Sequence, residues 1–351
     1  MAGLGPAPFA GMMLADMGAE VILIERNADK NKNRVPDFNR RGKKSVVLNL
    51  KVEEDVQILL KLIEKADAII EGFRPGVMER LGLSPEICLA KNPKLIFGRM
   101  TGWGQTGPLA KAAGHDINYI SLTGALHAIG RKNEKPVIPL NLVGDYGGGG
   151  MFLVVGILAA LLDAQKTGKG QIIDAAMTDG SAVLMGIFYS LDAMGFWNEK
   201  RGNNFIDGQA HYYDVYETKD EQFISIGSLE PQFYQLLKKN LNLSKADFVE
   251  QHNPKKWEEQ TEKLSQIFKT KTQQEWCNLL EGTDVCFAPV LNYKQATQHP
   301  HNIARNTYIE VDGIKQPAPA PRFSKTVSEV IKGSAYVGEH TQQVISDWLG
   351  K

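Results

Sequence analysis

Val21-Ile22-Leu23-Ile24 is a short unbroken apolar run, the mark of a strand buried on both faces. Ahead of it, Phe9 to Gly18 has helical apolar spacing. Behind it comes a charged loop and then a second short strand, Ser45-Val46-Val47-Leu48. Val52 to Ala66 places apolar residues at 52, 56, 59, 60 and 63, one face of a helix. Ala68-Ile69-Ile70 and Leu95-Ile96-Phe97 read as further strands, the last leading to the glycine-rich turn Thr101 to Pro108. Short apolar strands alternating with amphipathic helices predict an α/β fold, with a Rossmann-like parallel sheet covered on both faces. Such sheets hold ligands at the carboxyl ends of their strands. The charged loop after Ile24 and the turn after Phe97 both lie there.

Farther on, Gly147-Gly148-Gly149-Gly150 is expected to open a helix reaching about Ala164, and Gln171 to Asp174 a strand. The character changes near Arg201. Tyr213 and Val215 share one face of a strand, Thr218 to Glu221 forms a turn, and Phe223 to Ile226 returns as a hairpin. Polar helices are expected at 232–241, 254–270 and 273–280. This divides the chain into a large α/β domain over 1–200, a smaller α+β domain over 205–300, and a return segment over 301–351. That return segment is extended through Gln316-Pro317-Ala318-Pro319-Ala320-Pro321 and ends in a helix.

Composition narrows the function classes. The chain has 351 residues, 43% of them apolar, and 40 basic residues balance 40 acidic ones. No global field points to nucleic acid or an anionic membrane. Locally, nine Lys or Arg fall between Arg26 and Lys51, against Asp29 and Asp37, which reads either as a solvated loop or as a seat for a polyanionic small molecule. Lys43 and Lys44 belong to this set. Cys88, Cys277 and Cys286 lack metal spacing, and their odd number suggests free thiols in a reducing compartment, so a cytoplasmic location is expected. Met151 to Leu162 reads as too short to span a bilayer. His299 and His301 show no neighbouring carboxylate or thiol at ligand spacing, and no metal is expected.

Two polar residues stand in glycine-flanked stretches: His115 in Ala113-Gly114-His115-Asp116-Ile117-Asn118-Tyr119, and Asp145 in Val143-Gly144-Asp145-Tyr146. A base and an acid so placed can take a proton from one face of a carbon and return it on the other. Each also admits a plainer reading, His115 as a satisfied loop histidine and Asp145 as a helix cap. A cap position would lower the Asp145 pKa through the helix dipole, whereas desolvation by a substrate's acyl chain and by Leu142 and Val143 would raise it, and burial is expected to prevail once substrate is bound. The glycine N–H groups after Asp145 are the candidate oxyanion site. Met151, Met177, Met185 and Met194 suit either a pliable wall for an acyl chain or ordinary core packing. Gly3-x-Gly5 with Glu25 imitates a dinucleotide fingerprint but has Pro8 at the third glycine position.

Motifs along nearly the whole chain resemble those of the α-methylacyl-CoA racemases of the family III CoA-transferase group. They are Gly3-Leu-Gly-Pro-Ala-Pro-Phe9, Leu14-Ala-Asp-Met-Gly-Ala19, Arg41-Gly-Lys-Lys-Ser45, Glu71-Gly-Phe-Arg-Pro-Gly76 and Gly102-Trp-Gly-Gln-Thr-Gly107. Gly114-His-Asp-Ile-Asn-Tyr119, Gly144-Asp145, Thr167-Gly-Lys-Gly-Gln171, Leu229-Glu-Pro-Gln-Phe-Tyr234 and Gly338-Glu-His-Thr341 complete the set. One departure is that members of this group carry a further strand ahead of the Gly3 stretch, and its loss would expose a sheet edge.

The resemblance implies an interlocked homodimer and a 2-methylacyl-CoA substrate, with CoA as part of that substrate and no separate cofactor. It implies His115 and Asp145 as the two bases, and Glu230 as the acidic partner of the histidine. For the CoA moiety it implies Arg26, Leu48, Asn49, Leu50, Lys51, Gly72, Phe73, Arg74, Arg80, Gly114, Asp116, Ile117, Asn118 and Tyr119. The competing expectation is a CoA-transferase of the same group that uses Asp145 as nucleophile. A CoA-binding protein without catalysis would have no use for His115, Asp145 and Glu230 together.

Overall fold

A computed structural model describes residues 1, 3–26, 37–244, 246–330 and 332–350. Lys30, Lys32, Arg34 and Asp29 of the basic stretch lie outside the described residues. The chain divides into two compact units. The first holds 1–123, 140–185 and 304–351, and the second 124–139 and 186–303. Residues 124–139 and 186–200, expected in the large domain, therefore cluster with the second unit.

In the first unit β1 (Val21–Glu25) pairs in parallel with β2 (Lys43–Val47). Strands β3 (Ala68–Glu71), β4 (Ile96–Thr101) and β5 (Gln171–Ala176) form a second parallel group in that order. All six residues of β4 are buried. Its alternating side chains enter two separate cores, as the period of two requires. Phe97 joins Val46, Leu59, Ile63 and Val344 beneath the helices Glu53–Ile63 and Thr341–Leu349. Ile96 and Met100 join Ala10, Met12, Leu153 and Ile157 beneath the helices Pro6–Asp16 and Phe152–Thr167. Each such Leu, Ile or Phe contributes about 1.5–3 kcal/mol by leaving water. Gly98 lets the long helix approach, because a Cβ there would lie 3.0 Å from Leu153 Cδ1.

No pairing joins β1 to β3. A cavity of about 410 Å³ is lined by residues of both, together with Met1, Gly11, Lys43 and Trp348. The Met1 amine donates to Ile70 O at 2.8 Å.

The apolar helix is longer than its sequence suggests. Continuous with a π-helix that precedes it, it runs Leu142–Thr167, 26 residues, long and apolar enough by length and composition to cross a membrane. In the fold it packs against β4 and β5. The return segment contributes an unexpected hairpin, β9 (Tyr308–Val311) with β10 (Ile314–Pro317), reached after the strands of the second unit.

In that second unit β6 (Tyr213–Glu217), β7 (Phe223–Gly227) and β8 (Phe287–Val290) make an antiparallel sheet. Helices Pro231–Asn240, Pro254–Phe268 and Gln273–Leu280 cover its core. The expected hairpin is present with its faces exchanged. Tyr213 and Val215 are exposed, whereas Tyr216 reaches the core with Ile224 and Ile226. Tyr216 can do so because its hydroxyl donates to His211 O.

Candidate active site

The first unit presents its candidate ligand residues where parallel strands end. Arg26 follows β1, Leu48 to Lys51 follow β2, and Gly72 to Arg74 follow β3. Arg26, Arg74 and Arg80 are exposed, and among the described residues none of them is ion-paired. Leu48 is a core residue, so only its backbone remains for a ligand. Asn49 starts the turn into the next helix, its N–H bonding Asp55 Oδ2 at 2.7 Å and its Oδ1 accepting from Lys51 N.

Arg40, Arg41, Lys43 and Lys44 are engaged by acceptors within the fold. Arg40 forks onto Glu25 at 2.6 and 2.7 Å. Arg41 clasps Asp16 at 3.1 and 2.5 Å. Lys43 donates to Pro8 O, and Lys44 pairs with Glu20. Lys43 and Lys44 are thus engaged within the fold and do not stand free for phosphates. A count of charges along the sequence could not separate these lysines from the exposed Arg26.

His115 is exposed and directly precedes the short helix Asp116–Ser121. Its backbone N–H donates to Asn118 Oδ1 at 3.0 Å. Tyr119 turns back from that helix, with its hydroxyl donating to Gly114 O and its ring edge-on to Trp103 at 4.8 Å. Gly102 and Gly114 are needed here, because a Cβ at either would fall 2.0 or 2.7 Å from the Tyr119 ring. The loop before His115 is therefore wedged between two aromatic rings.

Asp145 does not cap a helix. It lies within the π-helix Leu142–Met151, whose N-cap is Asn141. Asn141 Nδ2 donates to Asp145 Oδ2 at 3.1 Å, a contact that spacing along the sequence gave no reason to expect. Desolvation raises the Asp145 pKa above the ordinary carboxyl value, and Asp116 adds to the rise. The Asn141 bond and His115 oppose it. His115 is thus within electrostatic reach of the Asp145 carboxyl.

The glycine run serves packing. Cβ atoms at Gly148, Gly149 and Gly150 would come within 2.5–2.8 Å of Ser181, Met177 and Phe9. Two helices, Pro6–Asp16 and Met177–Leu184, press on this backbone. Inside a π-helix these N–H groups are committed to carbonyls five residues back, so the expected oxyanion site at the glycines does not survive. At the start of the helix Asp116–Ser121, beside His115, the Asn118 N–H already bonds His115 O at 2.8 Å, which leaves the N–H groups of Asp116 and Ile117 without an intrahelical acceptor.

Asp116 is buried, and its Oδ2 accepts the Asp145 N–H at 2.7 Å. Its side chain is turned to the π-helix, leaving its backbone for any ligand. Glu230 stands exposed in the second unit at the N-cap of Pro231–Asn240. The four methionines do not form one wall. Met177 is core, Met151 is exposed, and Met194 lies in the second unit. His299, which lacked a sequence neighbour, bonds Glu281 through space at 2.8 Å. Among the described residues no group of three or more metal-ligating side chains gathers.

The fold is close to that of a CAIB/BAIF family protein from Brucella suis, with a TM-score of 0.85 and 24% identity over 99% of this chain and 97% of that one. The α-methylacyl-CoA racemase of Mus musculus is 43% identical over 99% of this chain and 91% of its own length. That of Homo sapiens is 40% identical over the same shares. The family model for CoA-transferase family III matches residues 1–341. With this match along nearly its whole length, the chain belongs to CoA-transferase family III.

Proposed function

We propose that this protein racemises 2-methylacyl-CoA thioesters by moving one proton between opposite faces of the α-carbon. The observation that carries the reading is an exposed imidazole within electrostatic reach of a carboxyl whose pKa is raised by burial. One of the pair must be unprotonated while the other holds a proton, and a carboxyl brought nearer to the histidine range satisfies that need. In one direction His115 removes the α-proton and Asp145 delivers one; in the other they exchange roles. The developing enolate oxygen meets the N–H groups at the start of the helix Asp116–Ser121. Arg26 and Arg74, which follow strands, and Arg80, at the end of the short helix Val77–Arg80, have no ion pair among the described residues and take the CoA phosphates. Gly72, Phe73, Leu50, Ile117 and Asn118 belong to the same binding surface in this reading. Glu230 is assigned the orienting of an active-site imidazole.

The enzyme is proposed to work as a homodimer. Val155, Leu158 and Leu162 form an exposed apolar stripe on the long helix, the kind of surface that a second copy covers. CoA arrives with the substrate, and the proposed chemistry requires no resident cofactor. The three cysteines are free thiols, as a reducing cytoplasm would keep them.

The related transferase chemistry would use Asp145 as nucleophile and has no need of an opposed base, whereas here His115 lies within electrostatic reach of that carboxyl. One enantiomer of 2-methylacyl-CoA incubated in heavy water without an acceptor acid decides between them. A racemase incorporates deuterium at the α-carbon as optical purity falls. Unchanged substrate would overturn the proposal.

A further inference from the structure

We propose that Asp116 is a positioning residue for the proton-transfer pair, its carboxylate locking the π-helix that carries Asp145 to the helix start that carries His115. The inference rests on the racemase reading and deepens it. Asp116 immediately follows His115, and its Oδ2 accepts the backbone N–H of Asp145 across 2.7 Å. The two bases are therefore joined through one buried side chain, although 30 residues separate them along the chain.

Two further observations point the same way. A Cβ on Gly144 would lie 2.5 Å from Asp116 Oδ2, so the clamp closes only over a glycine. The other oxygen, Asp116 Oδ1, is buried without a hydrogen-bond partner. A carboxylate that served only the helix start could remain in water and avoid that cost. Here it is held against the π-helix at the point where Asp145 begins its side chain.

The clamp also has an electrostatic consequence. The charged or titratable groups that bear on Asp145 are Asp116, His115 and Tyr119, all from the 115–121 segment, while at the start of the first helix a Cβ on Gly5 would lie 3.2 Å from Asp145 Oδ2. Of these, Asp116 adds to the rise in the Asp145 pKa, and His115 opposes it. One side chain thus sets both the spacing of the pair and part of the acidity of one member.

Asp116→Asn and Asp116→Ala separate the two effects. The amide oxygen of Asn can still accept the Asp145 N–H but carries no charge. It should lower kcat about tenfold with KM nearly unchanged, and move the acid limb of the pH–rate profile to lower pH. Ala removes the clamp as well, so kcat should fall about a hundredfold and exchange of the Asp145 amide hydrogen should quicken. Gly144→Ala should behave like Asp116→Ala.

A purely structural role would leave the acid limb of a folded Asn variant where it was. The carboxyl carbon shift of Asp145, followed against pH by NMR, reads the same coupling without turnover. Absence of α-exchange in the unmodified protein would sink the racemase reading and leave this second measurement in force. An Asp145 midpoint identical in the unmodified protein and Asp116→Asn, or wild-type kcat in Asp116→Ala, would overturn the clamp.

Discussion

Asn141 and Asp145 stand four residues apart at the start of one π-helix, and the amide of the first donates to the carboxyl of the second across 3.1 Å. The bond works against burial. Desolvation raises the Asp145 pKa, and a donor to the ionised form lowers it.

Asn141→Ala should therefore leave the carboxyl protonated to higher pH. In the direction in which Asp145 is the proposed base, activity rises as it loses its proton, so the acid limb of that profile should move upward, opposite to the shift expected for Asp116→Asn. A pH–rate profile of kcat/KM checks it, and a limb that moves downward would contradict the assignment of that limb to Asp145.

Arg41 and Asp16 form a bidentate pair with both side chains almost fully buried. Arg41 also donates to Gln316 Oε1 at 3.0 Å and Pro317 O at 2.6 Å, so it ties the return segment to the first helix. Removing one member strands the other charge in the core. Arg41→Ala should cost about 3–5 kcal/mol in urea unfolding. A loss under about 1 kcal/mol, the range of a surface pair, would show the clasp to be solvated.

Burial pushes the Lys43 amine down from 10.5 to about 8. The unfolded chain then holds that proton more tightly than the folded one between about pH 8 and 10.5. Stability should rise with pH through this window, and the full cost of burying a charged amine applies below it. Lys43→Met should raise stability at pH 7 by about 1–3 kcal/mol, less what the bond to Pro8 O contributes. Denaturant melts at pH 7 and 10 test the sign, since the advantage must shrink at the higher pH.

Gly180 and Gly148 meet backbone to backbone, and a Cβ on Gly180 would lie 1.8 Å from Gly148 O. Gly180→Ala must push the helix Met177–Leu184 off the π-helix, costing about 3 kcal/mol and displacing the element that holds Asp145. Gly186→Ala meets nothing within 4 Å and should be neutral or slightly stabilising. Thermal melts of the two variants side by side give the comparison, and equal melting temperatures would refute the close approach.

Most of the fold was legible because its signals are local. Val21 to Ile24, Ala68 to Ile70 and Leu95 to Phe97 read as strands since buried parallel strands need no alternation; the first two are most of β1 and β3, whereas β4 starts at Ile96 and runs on to Thr101. The hairpin at Tyr213 was legible in position but not in facing. Pairing does not depend on which side is wet, and Tyr216 carries a hydroxyl whose partner, His211 O, is visible only in three dimensions. The division near Arg201 misplaced 124–139 for a similar reason, because membership of a unit is a matter of contacts and not of order along the chain.

For the site, the residue types at 115 and 145 suggested acid–base chemistry before any coordinates, since the intrinsic chemistry of imidazole and carboxyl travels with the sequence. What tertiary structure alone decided is which charges are engaged within the fold, as Arg40, Arg41, Lys43 and Lys44 are, and which have no ion pair among the described residues, as is true of Arg26, Arg74 and Arg80. It also decided that Gly148, Gly149 and Gly150 make room for neighbouring helices, and that the Asp116 carboxylate accepts the Asp145 N–H. Charge and side-chain chemistry are properties of a residue; burial, partner and pKa belong to its surroundings, and those exist only once distant segments have packed together.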